Sequence, residues 1–282
     1  MEFGFVVLHY LAFEMTVRCT EALLALSGPV RVVIVDNASP NGSGKKLQEH
    51  FALHPSVTVL LNETNEGFAR GNNAGYSFLR EHFSCGFITV LNNDVLIRDR
   101  DFPARVEAIY KAHPFAVLGP DILNPATGEH QNPAHRKGFT REEVEERLAK
   151  YEKNLRHFRW NRFKWNLKKA FRRSPERRVA ALVPDPLENV VLHGACFVFS
   201  QAFIKVRERC FNPGTFLYFE EEILHRECLQ QGLLLRYDPS LQVEHLEDVA
   251  TDKAFRTPAR KEEMKQRESV RSMKVFLNVL KD

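Results

Sequence analysis

The stretch Phe87-Ile-Thr-Val-Leu-Asn-Asn-Asp-Val95 joins an apolar run to a polar end. The apolar residues predict a buried strand, and Asp94 presents a carboxylate just beyond it. In open α/β sheets, ligands bind at the carboxyl ends of the strands, where one or two carboxylates plus substrate phosphates hold cations such as Mg²⁺. The motif therefore indicates a ligand or metal site. Taken alone, the motif is better explained as an ordinary Asn/Asp turn after a strand.

Similar apolar runs lie on both sides of this stretch. They predict strands at 3–8, 30–35, 57–61 and 115–118, and apolar residues at helical spacing fill the intervals. This alternation predicts an α/β fold with a mostly parallel central sheet flanked by helices. Because parallel strands end at one edge, the polar residues after them should share a crevice, which favours a nucleotide site. These residues are His9, Tyr10, Asp36, Asn37, Asn62, Asn65, Asn92, Asn93 and Asp94.

Five motifs of the chain point to one family. Segments 33–39 (VIVDNAS), 62–75 (NETNEGFARGNNAG) and 91–95 (LNNDV) lie in the first half, and 193–198 (HGACFV) and 211–224 (FNPGTFLYFEEEIL) in the second. Together they resemble family 2 glycosyltransferases, nucleotide-sugar-dependent enzymes of GT-A fold. The opening, 7–23, is similar to the bacterial rhamnosyltransferase-like branch. The resemblance covers residues 3–125 and 190–246 and implies a GT-A fold.

The resemblance implies a nucleotide-sugar site in the first half of the chain. Asp36 would accept a hydrogen bond from a pyrimidine N–H, with a helix N-cap or turn as the alternative role. Gly67 would let the backbone approach the ligand, whereas Gly71 and Gly75 are equally explained by packing of a helix on the sheet. The other expected contacts are Tyr10, Asn37, Asn65, Arg70, Asn72, Asn92 and Asn93.

The family's metal motif is Asp-x-Asp, whereas this chain has Asn92-Asn93-Asp94. The resemblance therefore assigns a divalent metal ion, Mn²⁺ or Mg²⁺, to Asp94, with His245 as the second ligand. An imidazole ligand suits Mn²⁺ better than Mg²⁺. The alternative for His245 is a surface histidine beside the acidic pair Glu247 and Asp248.

Three consecutive acids, Glu220, Glu221 and Glu222, open a predicted helix. Acids in a first turn ordinarily offset the helix dipole. The family's x-Glu-Asp motif implies in addition that one of them deprotonates the acceptor hydroxyl during a single inverting displacement. The alignment selects Glu221 and leaves Glu222 as the next candidate. The segment His193-Gly194-Ala195 would form a loop of close approach beside the acceptor.

Residues 154–178 carry ten Lys or Arg and one acid, a net charge of +9 in a chain whose total is +4. A helix there would place Trp160, Phe163, Leu167 and Phe171 on one face. Contact with an anionic membrane surface is one interpretation, and a structural insertion packed on the domain is the second. Nucleic acid, the third and weakest, is not an expected partner.

Length and composition predict a single glycosyltransferase domain over 1–282. Its expected parts are a nucleotide-sugar-binding half (1–125), a basic helical insertion (135–185), an acceptor and catalytic half (186–250) and a C-terminal helical tail (251–282). The tail would pack on the body or pair with a second subunit in a homodimer. The five cysteines form no C-x-x-C pair and no even set, and no run approaches the ~20 apolar residues of a membrane span. Both observations predict a cytoplasmic protein. It would be peripheral on the inner membrane face if the basic segment binds lipid.

The combined prediction is an inverting hexosyl- or deoxyhexosyltransferase that uses a UDP- or dTDP-sugar. Its acceptor would be a hydroxyl of a glycan or lipid-linked glycan in bacterial cell-surface polysaccharide synthesis. Two alternatives remain open. A sugar nucleotidyltransferase would normally carry a Gly-rich loop where this chain has His9-Tyr-Leu-Ala-Phe13. A catalytically inactive nucleotide-sugar-binding protein of the same fold is the other.

Overall fold

The computed structural model describes residues 2–158, 179–247 and 258–281. The strands in these residues are β1 Glu2–His9, β2 Val30–Asp36, β3 Val57–Leu61, β4 Cys85–Asn92, β5 Val95–Leu96, β6 Val117–Asn124, β7 Glu129–His130, β8 Leu187–Glu188, β9 Cys196–Ser200 and β10 Leu235–His245. The helices are α1 Phe13–Leu24, α2 Ser43–His50, α3 Gly67–His82, α4 Phe102–Ala112, α5 Arg141–Arg156, α6 Gln201–Ile204, α7 Glu220–Gln230 and α8 Pro258–Val279.

The described strands form one sheet in the order β3-β2-β1-β4-β9-β6-β10-β5, with β7 beside β6 and β8 beside β10. Strands β3, β2, β1 and β4 are parallel, and β6 is parallel to β10. Among the described strands of this central set, only β9, which lies between β4 and β6, is antiparallel to its neighbours. This confirms the predicted α/β fold with a mostly parallel sheet flanked by helices.

Two strands differ from the prediction made from the apolar runs. The pattern for 115–118 ended at Gly119 and Pro120, residues that weaken a strand signal, yet β6 continues to Asn124 because β10 pairs with it. Strand β10, Leu235–His245, which the apolar runs did not predict, also contains a proline. There the register shifts between Asp238 and Gln242, a bulge that accommodates Pro239.

Three apolar clusters hold the layers together. One lies on the face of the sheet covered by α1 and α4, and the second lies on the opposite face beneath α3. The third joins α5, α7 and α8 through Val144, Ile223, Val270, Met273 and Phe276. The tail helix therefore packs on the body, as one of its two interpretations predicted.

Part of the predicted basic insertion lies outside the described residues. The aromatic face expected from Trp160 to Phe171 falls in that part, whereas residues 135–158, which include helix α5, and residues 179–185 are described. Helix α5 begins with a capping box in which Thr140 and Glu143 bond to each other's backbone N–H groups. Within the described ranges, no helix combines the length and apolar character needed to cross a bilayer.

Candidate active site

A buried polar network ties together the ends of the first strands. The His9 ring lies 2.7 Å from both Thr16 Oγ1 and Ser43 Oγ, and 3.8 Å from Asp36 Oδ1. Asn93 Nδ2 donates to the same Thr16 hydroxyl at 2.9 Å. Burial lowers the pKa of His9 to about 4, so the ring is neutral at physiological pH. The ends of β1, β2 and β4 are thus held at one edge, as parallel topology requires.

The residues after β2 and β3 are held by a second set of hydrogen bonds. Asn37 Nδ2 donates to Gly67 O at 2.9 Å, and Asn37 Oδ1 accepts from Glu66 N at 3.0 Å. The Asp36 carboxylate accepts from Ser39 N at 3.3 Å. A side chain at Gly67, whose φ is +77°, would overlap the backbone of Phe216. Asn37 therefore fixes the turn that leads into α3 rather than standing free in the crevice.

The polar residues of α3 have diverse surroundings. Asn65 caps the turn by accepting from Gly67 N at 3.0 Å, and Arg70 Nε reaches Pro213 O at 2.9 Å. Asn72 is buried, with Nδ2 donating to Phe68 O and Oδ1 unpartnered among the described residues. A Cβ at Gly75 would lie 2.5 Å from Val6 Cγ1, so packing on the sheet explains that glycine.

Asp94 and His245 meet at the edge of the sheet although they are far apart in sequence. Asp94 Oδ1 lies 3.3 Å from His245 Nε2 but has no hydrogen-bond partner among the described atoms. His245 Nδ1 lies 2.8 Å from Gln131 Oε1, and Gln131 Nε2 in turn donates to Glu247. Because His245 is 7% exposed, it is not the surface histidine of the alternative interpretation. Tyr10 and Asn92 are half-buried at the same edge.

This pair fits a divalent cation. Donation from Nδ1 to Gln131 leaves the Nε2 lone pair facing the unpartnered Asp94 oxygen, which is the arrangement usual for metal-ligating histidines. No group of three or more His, Cys, Asp or Glu side chains suited to a metal occurs within the described ranges. Two protein ligands are therefore available, which suits an ion that also binds substrate phosphates.

A short chain of contacts links this pair to the acids of α7. The rings of His193 and His245 are 5.8 Å apart, and burial lowers the pKa of His193 to about 4. His193 Nδ1 accepts from Ala195 N at 3.2 Å, and Ala195 O accepts from Asn92 N at 3.0 Å. On the other side, the Gly194 N–H bonds to the Glu221 carboxylate. These contacts connect Asp94 and His245 to Glu221.

Helix α7 begins from a strained turn. Tyr218 and Phe219 have φ values of 72° and 69°, a conformation that costs non-glycine residues of order 1–3 kcal/mol each. Packing compensates for this strain, because the Phe219 ring lies 6.2 Å from those of Phe139 and Phe276. Strain held in this way by surrounding structure clusters at functional sites.

Burial raises the pKa values of the three glutamates in this turn. It raises the pKa of Glu221, and a Cβ on Gly194 would overlap the Glu221 carboxylate. Burial, with Glu221 close by, raises the pKa of Glu220 to about 8 and that of Glu222 to about 7. Glu222 Oε2 accepts from Phe139 N at 3.2 Å. The acids in the first turn of α7 are therefore largely shielded from solvent, unlike the solvent-exposed acids of an ordinary helix N-terminus.

The family model described as Glycosyl transferase family 2 matches residues 5–179, more than half of the chain. The chain belongs to glycosyl transferase family 2. No curated protein sequence matches it. The fold of this family 2 chain is similar to that of several solved structures, although sequence identity is low.

S. aureus TarS 1–349 is one such structure, with 12% identity and a TM-score of 0.54; the match covers 86% of this chain and 60% of TarS 1–349. The TarS complex with UDP-GlcNAc has 14% identity and a TM-score of 0.56, covering 94% and 64%. The mannosyltransferase PcManGT from Pyrobaculum calidifontis, in complex with GDP-Man and Mn²⁺, has 12% identity and a TM-score of 0.56, covering 99% and 72%. These likenesses establish the GT-A fold.

Some residues at the site of this family 2 chain carry no recognisable sequence signal. Gln131 orients His245 from 114 positions away. Asn73 binds both backbone groups of Phe211, at 2.9 Å each, and so joins α3 to the segment before α7. Arg147 and Lys265 border a cavity beside Glu221 and Glu222. Pairing over such separations depends on topology, so a single sequence could not mark these residues.

Proposed function

We propose that the chain is an inverting glycosyltransferase of the rhamnosyltransferase-like branch. It would move a hexosyl or deoxyhexosyl unit from a UDP- or dTDP-sugar to a hydroxyl of a glycan or lipid-linked glycan. The observation that carries the proposal is the chain of contacts that connects Asp94 and His245 to Glu221 through His193 and Gly194. Similar structures hold UDP, UDP-GlcNAc or GDP-Man, which supports a nucleotide-sugar donor.

The donor would lie along the ends of β1, β2 and β4. Asp36 has acceptor capacity beyond its two long bonds to Ser39 N, enough for an N–H of the base. The backbone N–H groups of Glu66, Gly67 and Phe68 at the N-terminus of α3 are already bound within the protein, so this end of the sixteen-residue helix would act on the phosphates through its dipole. Tyr10, Asn65, Arg70, Asn72, Asn92 and Asn93 remain proposed contacts or supports of this site.

Asp94 and His245 would hold a divalent ion, Mn²⁺ or Mg²⁺. When bound, that ion supplies positive charge that stabilises the leaving nucleoside diphosphate. Mn²⁺ in the structure of PcManGT supports this assignment. Gln131 would act as a positioning residue, because its contact with Nδ1 sets the tautomer and direction of His245.

Glu221 would be the catalytic base. Its raised pKa brings the carboxylate towards the working pH, where a general base contributes typically 10²–10⁴-fold. The acceptor oxygen forms a bond to the anomeric carbon, the bond from that carbon to the diphosphate oxygen breaks, and the hydroxyl proton passes to Glu221. The Gly194 N–H holds the carboxylate in place, and the absence of a side chain there leaves it room.

Product analysis tests this proposal directly. With UDP- and dTDP-sugars and Mn²⁺, the chain should release a nucleoside diphosphate by slow donor hydrolysis, and faster with an acceptor. Release of pyrophosphate from a sugar phosphate and a nucleoside triphosphate would instead identify a nucleotidyltransferase. Donor binding, seen as a thermal shift, without any turnover would identify an inactive binding protein.

The acceptor pathway and location are further parts of the proposal. We propose synthesis of bacterial cell-surface polysaccharide, with the basic segment 154–178 contacting an anionic membrane from the cytoplasmic side. The net charge of +9 in that segment supports the contact. Sedimentation with anionic vesicles should fall when Lys164, Lys168 and Lys169 are changed to Gln. Equal sedimentation of both proteins would contradict membrane binding.

A further inference from the structure

A cavity of about 260 Å³ opens beside Glu221 and Glu222. Its walls come from elements outside the donor half: α5 provides Arg147 and Tyr151, and α8 provides Lys265 and Ser269. Ligand pockets start at about 300 Å³, so the space suits one sugar unit rather than a long chain. Helices α5 and α8 therefore shape the space next to the proposed base.

Two cations border this cavity from opposite helices. Arg147 Cζ lies 4.0 Å from the centre of the Phe139 ring, and Lys265 Nζ lies 5.9 Å from that of Tyr218. Among the described residues, neither has a carboxylate within ion-pair distance, whereas Arg267 and Lys274 on α8 pair with acids at 3.0 and 2.8 Å. Arg147 and Lys265 thus keep donors available for an external partner.

The cavity is lined by two acids and two cations that differ in exposure to solvent. Glu222 is buried and Glu221 is half-buried, while Arg147 and Lys265 are exposed. Aromatic side chains of Phe139, Tyr151 and Tyr218 lie among the lining residues and offer surfaces for the apolar face of a sugar ring. A neutral sugar would leave both cations unused. A ligand with a hydroxyl at one end and an anionic group at the other would satisfy both ends.

We infer that the acceptor is a sugar carrying an oxyanion, either a carboxylate or a phosphate, which Arg147 and Lys265 bind while a hydroxyl of the same unit faces Glu221. The inference rests on the proposed glycosyltransferase function and defines its acceptor class. Guanidinium and ammonium groups form charge-assisted hydrogen bonds with both anions, roughly twice as strong as neutral ones. Binding at the cationic end would thereby orient the attacking hydroxyl.

A matched set of small acceptors tests the inference. Methyl hexosides in gluco, galacto and manno configurations are compared with the corresponding hexuronides and hexoside 6-phosphates. Their binding is measured by calorimetry in the presence of a nucleoside diphosphate and Mn²⁺. At least one anionic probe should bind about tenfold or more tightly than its neutral counterpart. The uronide and phosphate arms distinguish the two sources of the oxyanion.

Variants assign the effect to the two cations. R147Q and K265Q should each remove most of the preference for the anionic probe, and R147K should keep part of it. K150Q is the matched control, because Lys150 is an exposed cation of α5 that does not line the cavity.

Two results would overturn the inference. One is equal binding, or no binding, of anionic and neutral probes by a parent protein that hydrolyses its donor; the other is a preference that survives in the R147Q/K265Q double variant. A parent that never turns over any donor would instead overturn the proposed function itself.

Discussion

The Glu221 carboxylate is held by the Gly194 N–H, in the loop that also carries His193, whose ring lies 5.8 Å from that of His245. If Glu221 is the base, E221Q removes the proton acceptor but keeps the shape of the side chain. Sugar transfer should then fall 10²–10⁴-fold, with little change in nucleotide affinity. The measurements are kcat for transfer and nucleoside diphosphate binding by calorimetry.

E222Q is the matched comparison, since Glu222 is the adjacent acid and lines the same cavity. Glu222 accepts from Phe139 N, a bond that the glutamine oxygen can retain. Transfer by E222Q should therefore stay within about tenfold of the parent, well above E221Q. The reverse order of the two variants would move the role of base to Glu222.

Asn37 shows why residue roles are hard to assign from sequence. Its position after β2 predicted a nucleotide contact, yet both ends of its amide bind the protein, at Gly67 O, Asn62 Nδ2 and Glu66 N. A polar residue at a strand end suits a ligand and a turn equally well. Only the backbone that surrounds it decides between these uses. Asn93, bound to buried Thr16, has the same kind of role.

At the scale of single elements, the first turn of α7 should make stability depend on pH. The pKa of Glu222 rises from its usual 4.5 to about 7 on folding, so the folded state binds the proton more tightly than the unfolded state. This contribution is fully present below pH 4.5 and is lost as pH rises through about 7.

The parent should accordingly lose stability relative to E222Q between pH 5 and pH 8, by up to about 3 kcal/mol. The measurement is the free energy of unfolding in urea at several pH values. E146Q, which changes an exposed acid on α5, should run parallel to the parent. A constant difference between the parent and E222Q would show that burial does not perturb this carboxyl group.

Elements with continuous apolar runs were predicted well. The strand predicted at 57–61 has the observed bounds. The strand predicted at 3–8 is one residue short at both ends, and the strand predicted at 30–35 is one residue short at its C-terminal end. Local composition suffices there because β1 and β2 are central and buried, and because β3, at the edge of the sheet, is a run of β-branched and apolar residues. It fails for β6 and β10, whose Gly, Pro and Asp residues are tolerated because the two strands pair with each other.

The grouping of polar residues at one edge of the sheet also follows from the predicted topology. Parallel topology alone brings Asp36, Asn93 and Asp94 to one edge. The approach of His245 to Asp94 came only from family resemblance, since the two are 151 positions apart in the sequence. The support of His245 by Gln131, and the cavity between α5 and α8, follow from packing over distances that no local pattern encodes.

At the scale of the whole molecule, the cluster of α5, α7 and α8 couples the tail to the site. Phe276 on α8 is 1% exposed and lies 6.2 Å from the ring of Phe219, which directly precedes the glutamates of α7. The tail therefore supports the strained turn on which Glu221 is placed. The donor half relies on separate clusters that cover the two faces of the sheet.

F276A should lower the free energy of unfolding by about 3–5 kcal/mol, as expected for a buried phenylalanine replaced by alanine. Under conditions where the variant stays folded, transfer to acceptor should fall more than donor hydrolysis, because the loosened helix borders the cavity and not the ends of β1 and β2. N278A, an exposed change on the same helix, should leave stability and both activities within experimental error. A defect confined to α7 and its neighbours should not weaken donor binding at the ends of β1 and β2. Equal losses of transfer and hydrolysis in F276A would therefore mean that the tail supports the entire domain rather than the acceptor side.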